Sequence, residues 1–208
     1  MVRRICQKAR GKHRRKEKKL ILMAVEGKNN RTETLYFAHF GREQKEYTIR
    51  FVPCNETDPV QLVAHTEQMW EKEGCDESFG DRAFCVFDTD TDPGKQQKIE
   101  EAIRNAKTCE PILSNPCFEV WFLLHFSYTS RQFRSGSELI RELQKFVPAY
   151  SKSMDVLETI QGKTGMAVAN AKRLEKYHAA NGNKRGIPAN PCSEVYRIVE
   201  LLRTDTSS

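Results

Sequence analysis

Two runs of apolar residues in this chain end abruptly on an acid, and they constrain the fold more than any other feature. Leu20-Ile21-Leu22-Met23-Ala24-Val25 stops at Glu26-Gly27, and Ala83-Phe84-Cys85-Val86-Phe87 stops at Asp88. Runs of this length without alternation suit strands covered on both faces, the signature of a parallel sheet between helices. Tyr47 to Val52, ended by Pro53, reads as another strand, and Pro111 to Leu113 as a short fourth. Helical patterns lie between them. Thr32 to Gly41 is one, Asp58-Pro59 is a cap with proline at the first helical position, and Lys95 to Ala106 is a third. The alternation predicts an α/β fold: a mostly parallel four-stranded sheet with helices on both faces. Ligands of such sheets lie outside the carboxyl ends of the strands, where Glu26 and Asp88 both fall.

From Asn115 onward the chain changes character. Pro116 to Phe126 reads as a dense apolar helix. Amphipathic helices are expected near Ser137 to Phe146, Thr164 to Ala180 and Cys192 to Leu202, with a Gly-, Asn- and Pro-rich loop over Gly182 to Pro191. The expected organisation is a basic flexible arm (1–19), an α/β core (20–127) and a helical C-terminal portion (128–208) packed on that core.

The arm carries the net charge. Residues 1–19 hold ten lysines and arginines against Glu17 alone, which leaves 24 of the 34 basic and 27 of the 28 acidic residues to the remainder, a net of −3. Such a block can meet phosphates, or it can be a solvated tail. The seven cysteines are scattered, form no Cys-x-x-Cys pair and have no histidine at zinc-finger spacing, so buried reduced thiols are expected and not a zinc site. No apolar run approaches the roughly 20 residues of a membrane span. Leu20 to Val25 is too short for a secretory signal, so a cytoplasmic location is expected.

In Asp88-Thr89-Asp90-Thr91-Asp92 carboxylates occupy alternate positions. Residues two apart in an extended chain face one side, so Asp88 and Asp90 can address one cation if strand geometry persists beyond Phe87. Magnesium prefers such oxygen ligands and is usually held by one or two carboxylates plus substrate phosphates. An EF-hand loop fails, because Pro93 stands where its glycine belongs and Ile99 where its bidentate glutamate belongs. A polar loop capping the helix from Lys95 and a glycosyltransferase Asp-x-Asp remain open. So does a haloacid-dehalogenase-type phosphatase, in which Asp88 would be nucleophile and Asp90 acid/base. That family also uses a downstream acidic pair, and no Asp-Asp or Asp-x-x-x-Asp follows on a strand here.

Glu26-Gly27 after the first strand, followed by Asp-x-Asp after a later one, resembles the Toprim domain of topoisomerases, DnaG-type primases and OLD-family nucleases. A closer resemblance is to the RloB-like family of bacterial defence proteins. It rests on Ile21 to Gly27, on Thr32-Glu33-Thr34-Leu35-Tyr36-Phe37, on Val86 to Asp90, on Ser114-Asn115-Pro116-Cys117-Phe118-Glu119-Val120-Trp121-Phe122-Leu123-Leu124-His125-Phe126, and on Asn190-Pro191 with Val195-Tyr196. The likeness runs over about residues 18–203. Two departures are Thr89, where the family often has a basic residue, and an extension through Asn29-Asn30-Arg31.

The resemblance implies a Toprim-like core and metal-dependent cleavage of phosphodiester bonds in nucleic acid, as RNA (tRNA included) or DNA, in antiphage defence or abortive infection. Glu26, Asp88 and Asp90 would be catalytic, and with Asp92 would bind magnesium or manganese. Glu119, an acid inside an apolar helix, needs a partner, either the metal site or an arginine. His125 is a candidate to support the metal ligands from behind, or a core histidine. Lys28 and Lys163 are candidate phosphate contacts. Gly162-Lys163-Thr164 is not a P-loop, since Leu157 stands where the first glycine belongs. The partners this reading allows are nucleic acid, a separately encoded ATPase and a second copy of the chain. The competing function is a non-catalytic nucleic-acid-binding or partner-regulated subunit holding a structural cation.

Overall fold

The computed structural model describes residues 18–26, 31–43, 46–53, 57–90, 92–152 and 154–204; residues 1–17 of the basic arm, and Gly27 and Lys28, lie outside them. The elements run β1 (Lys19–Val25), α1 (Arg31–Glu43), β2 (Tyr47–Phe51), α2 (Pro59–Glu73), a 3-10 turn (Glu77–Phe79), β3 (Arg82–Asp88), α3 (Lys95–Asn105), β4 (Cys109–Asn115), α4 (Glu119–Leu124), α5 (Gly136–Leu143), α6 (Leu157–Ile160), α7 (Thr164–Ala180), β5 (Cys192–Ser193) and α8 (Val195–Thr204).

The fold is α/β, and the sheet is mostly parallel as expected. It has five strands and not four, in the order β2-β1-β3-β4-β5. The addition, β5, pairs antiparallel with the end of β4, Ser114 opposite Ser193 and Asn115 opposite Cys192. Cys192 and Ser193, read from sequence as the start of a helix, are therefore strand, and α8 begins only at Val195.

Alternation along the strands divides the core in two. Leu22, Ala24, Ala83, Cys85, Phe87 and Leu113 face α2 and α3, where Leu62, Val63, Trp70, Ile99 and Ala102 meet them. Ile21, Met23, Val25, Phe84, Val86 and Ile112 face the other way, against side chains of α1, α4, α5, α7 and α8. Helices thus cover both faces. Each large apolar side chain fully buried there stabilises the fold by roughly 1.5–3 kcal/mol. Residues on both sides of position 127 share this second cluster.

Local chemistry sets several element ends. Asp58 caps α2, accepting from the Val60 and Gln61 amides at 3.0 and 3.3 Å, with Pro59 next. The expected apolar helix from Pro116 shortens to six residues, Glu119 to Leu124. Asn115 is the last residue of β4, and its side-chain amide donates to the carbonyls of Gly186, Ile187 and Ala189 at 2.9–3.0 Å. Asn190 mirrors it, accepting from the Phe133 amide and donating to the Phe133 carbonyl. Both Asn-Pro bonds are cis. Through these side-chain hydrogen bonds the two Asn-Pro segments staple the 182–191 loop onto the sheet and onto the chain near Phe133.

Candidate functional site

Strand register brings the first two acids together. Val25 pairs with Val86, and the Glu26 amide continues the ladder to the Val86 carbonyl at 3.1 Å. One step on, the Glu26 carboxylate accepts the Asp88 amide at 3.0 Å, so a side chain closes the position where the ladder ends.

Asp90 reaches the site by a different route from the one its spacing suggests. Strand geometry stops at Asp88, and Asp90 has a left-handed backbone with φ 55°. Strand alternation thus ends at Asp88 and does not carry Asp90 to the site. A turn brings Asp90 in, pinned by the Thr89 amide on the Ser114 carbonyl and the Asp90 amide on the Pro116 carbonyl, both at 3.0 Å. Left-handed geometry is uncommon outside glycine, and Asp is among the residues that tolerate it best.

Between these acids lies Lys95, the first residue of α3. Its ammonium donates to both Glu26 carboxylate oxygens at 2.9 and 3.2 Å and to Asp90 Oδ2 at 2.9 Å. Asp92 does not join them. It is exposed, and its carboxylate accepts the Gly94 amide at 2.9 Å, shaping the turn into α3 while its carbonyl accepts the Lys95 amide.

A second pair of acids stands behind. Glu33 lies in the first turn of α1 and Glu119 opens α4, both buried. Glu119 accepts the Tyr150 hydroxyl at 3.1 Å and has Lys152 as a cationic neighbour, so its partner is a tyrosine, not an arginine. Burial pushes the Glu33 carboxyl up to about 7, with Glu119 and Glu26 adding to the rise and Lys152 opposing it. Asp88 is driven well above the ordinary carboxylate range, by burial first and then by Glu33, Glu119, Glu26 and Asp90. Glu26 is raised by burial, against the pull of Lys95. Burial works to lower both lysines, yet the surrounding carboxylates hold Lys95 and Lys152 above the usual lysine value. Loss of water around the three carboxyls is the first cause in each case, and repulsion between the acids adds to it.

As placed, no three His, Cys, Asp or Glu side chains among the described residues converge closely enough to hold a metal ion. The convergence is of two carboxylates on an ammonium. The donor set nevertheless suits a hard divalent cation: it is all carboxylate oxygen, with Asp88 adjoining Glu26.

The other candidates lie elsewhere. His125 hydrogen-bonds the Trp121 carbonyl through Nδ1 at 2.9 Å and packs edge-on to the Trp121 ring. Burial lowers it to about 4, which makes it a neutral core histidine at neutral pH. Lys163 donates to the Thr159 carbonyl and sits 4.4 Å from the Phe126 ring centroid, beyond the far end of α4 from Glu119. Glu33, Lys95, Tyr150 and Lys152 were not singled out as site residues by spacing. Glu33 had a signal, an acid in the first turn of a predicted helix seven residues after Glu26; the other three had none.

Among the described residues no helix is long and apolar enough to cross a membrane. Neither a curated protein nor a solved structure matches the chain. The family model described as RloB-like protein matches residues 21–202, which hold all the site acids and the whole sheet except Lys19 and Leu20 at the start of β1. The chain belongs to the RloB-like protein family.

Proposed function

We propose that this protein is a divalent-metal-dependent nuclease of Toprim type, cleaving phosphodiester bonds of nucleic acid. The observation that carries the reading is the Lys95 ammonium held by three carboxylate oxygens of Glu26 and Asp90, beside an Asp88 surrounded by like charge. A site that gathers this much negative charge at the carboxyl edge of a sheet is built for a cation.

Glu26, Asp88 and Asp90 would hold magnesium or manganese, which when bound supplies Lewis-acid activation of the phosphate and of an attacking water. Around it, Glu26 is oriented by the Asp88 amide, and Asp90 by its turn onto the Pro116 carbonyl. Glu33, with its carboxyl near 7, is suited to exchange a proton near neutral pH. Glu119 is locked by Tyr150 and holds charge behind Asp88. Asp92 acts through the turn that positions Lys95.

Acids of this kind act on the phosphodiester, which RNA and DNA share, so the polymer is assigned to nucleic acid as a class. Family resemblance supports a role in bacterial antiphage defence and partnership with a separately encoded ATPase. The decisive experiment incubates the full chain with magnesium or manganese and RNA, DNA or a phosphomonoester. Metal-dependent cleavage of a polymer is expected. Phosphate release from the monoester alone would move Asp88 and Asp90 to phosphatase chemistry, and metal binding without turnover would leave a non-catalytic subunit.

A further inference from the structure

We propose that Lys95 is the resident counter-ion of the acid site, exchanged by the divalent metal on loading and then turned onto a phosphate oxygen of the nucleic acid. This deepens the nuclease reading and rests on it.

The contacts at Lys95 are those of a bound cation. Three carboxylate oxygens from two residues surround one ammonium at 2.9–3.2 Å, and the lysine side chain is only 11% exposed. Ammonium has three protons, and the three oxygens use them all. A magnesium ion needs the same kind of oxygen at about 2.0–2.1 Å. A divalent ion and the ammonium would draw on the same three oxygens and repel each other there, so loading the metal weakens the hold on Lys95.

The two partners differ in their freedom to adapt. Glu26 is tied on its other side by the Asp88 amide, whereas Asp90 is more than half exposed. The Lys95 backbone is fixed by the Asp92 carbonyl at 2.9 Å, at the start of α3. Exchange therefore moves the flexible stem and the ammonium and leaves the backbone where it is. Once the carboxylates turn to the metal, the ammonium remains tethered a few ångströms from it and needs an anion. A phosphodiester oxygen on the same metal is the anion the reaction brings, and lysine binds phosphate as a compact point charge. Lys152 neighbours Glu119, Asp88 and Glu33 rather than Glu26 and Asp90, so it does not duplicate this position.

The test uses the full chain and its K95M and K95Q variants, with manganese binding followed calorimetrically near neutral pH. Removing a competing charge at contact distance is expected to tighten manganese binding about tenfold or more in both variants. Cleavage at saturating manganese is expected to fall about a hundredfold. Equal affinities in wild type and variants overturn the exchange. Tighter binding with wild-type cleavage overturns the phosphate role. Absence of manganese binding in all three, each melting cooperatively, removes the nuclease reading and this inference with it. The wild type gives an independent readout: acetic anhydride labelling of Lys95, read by mass spectrometry, is expected to rise several-fold when magnesium is added, and unchanged labelling overturns the exchange.

Discussion

The two edges of the central sheet use acids in opposite ways. At the amino edge, Asp81 accepts the Leu20 amide at 2.7 Å and Glu67 accepts the amides of Lys107, Thr108 and Cys109 at 2.8–3.1 Å. Burial works against the Glu67 charge, but these donors and the Thr108 hydroxyl hold its carboxyl down at about 2. At the carboxyl edge, Glu26, Glu33 and Asp88 all move upward, since burial and neighbouring acids outweigh the donors they have. An acid that caps backbone is a structural part with its charge satisfied. An acid raised by burial among other acids stores electrostatic cost that a cation can relieve. The direction of the shift separates these two uses where residue type does not.

Neutralising acids of the carboxyl edge has the largest expected effect. Glu26→Gln and Asp88→Asn are expected to lower metal-dependent cleavage at least about a hundredfold. Asp88→Asn should leave the thermal midpoint without metal equal or higher, because it removes a half-buried carboxylate that its neighbours repel. A cleavage assay paired with thermal melting checks both, and full activity in both variants would remove these residues from the chemistry.

Glu33 extends the contrast to pH. Its folded carboxyl titrates at about 7, above the ordinary 4.5. The folded chain therefore keeps a proton that the unfolded chain has lost, and stability falls as pH rises from about 4.5 to about 7. The cost above that window is on the order of 3 kcal/mol. Glu33→Gln should flatten this slope in denaturant melts across the same window. Wild-type and variant curves that stay parallel would show that Glu33 is not so placed. Glu67 has the reverse sign. Its stabilisation is full above pH 4.5 and is lost as pH falls towards 2. Glu67→Ala is expected to cost about 2 kcal/mol, discounted for a half-exposed group, with cleavage unchanged.

What the sequence made legible follows the same division. β1 and β3 were readable because strands buried on both faces need unbroken apolar runs, and Glu26 and Asp88 stood out as the residues that end them. The bounds of α7 matched, since a long helix keeps its period through Thr164 to Ala180. Tertiary contacts decided the rest. Cys192-Ser193 is too short to carry a strand pattern and becomes strand only beside Ser114 and Asn115. The apolar stretch from Pro116 looks like one helix, yet Asn115 and the Pro116 carbonyl are committed to the 186–189 loop and to Asp90. Lys95 and Lys152 look like surface lysines in the sequence. Only folding brings them to the acids, one from α3 and one from the segment before α6.

The smallest expected effect is at Asp92, and it tests whether the acidic motif is one unit or two. Counted by alternation, Asp92 belongs with Asp88 and Asp90 as a ligand. In the fold it is exposed, and its carboxylate accepts the Gly94 amide, closing the turn that delivers Lys95. A turn-former of this kind contributes about 0.5–1 kcal/mol. Asp92→Asn retains the acceptor oxygen and should match wild type in stability, manganese affinity and cleavage. Asp92→Ala should lose up to about 1 kcal/mol in denaturant melts and keep the manganese affinity unchanged. A ligand would behave differently, because loss of its charge in either variant would weaken manganese binding. If Asp92→Asn alone reduces that affinity tenfold, Asp92 joins the carboxyl-edge acids and the boundary between capping and cation-holding residues moves out to the start of α3.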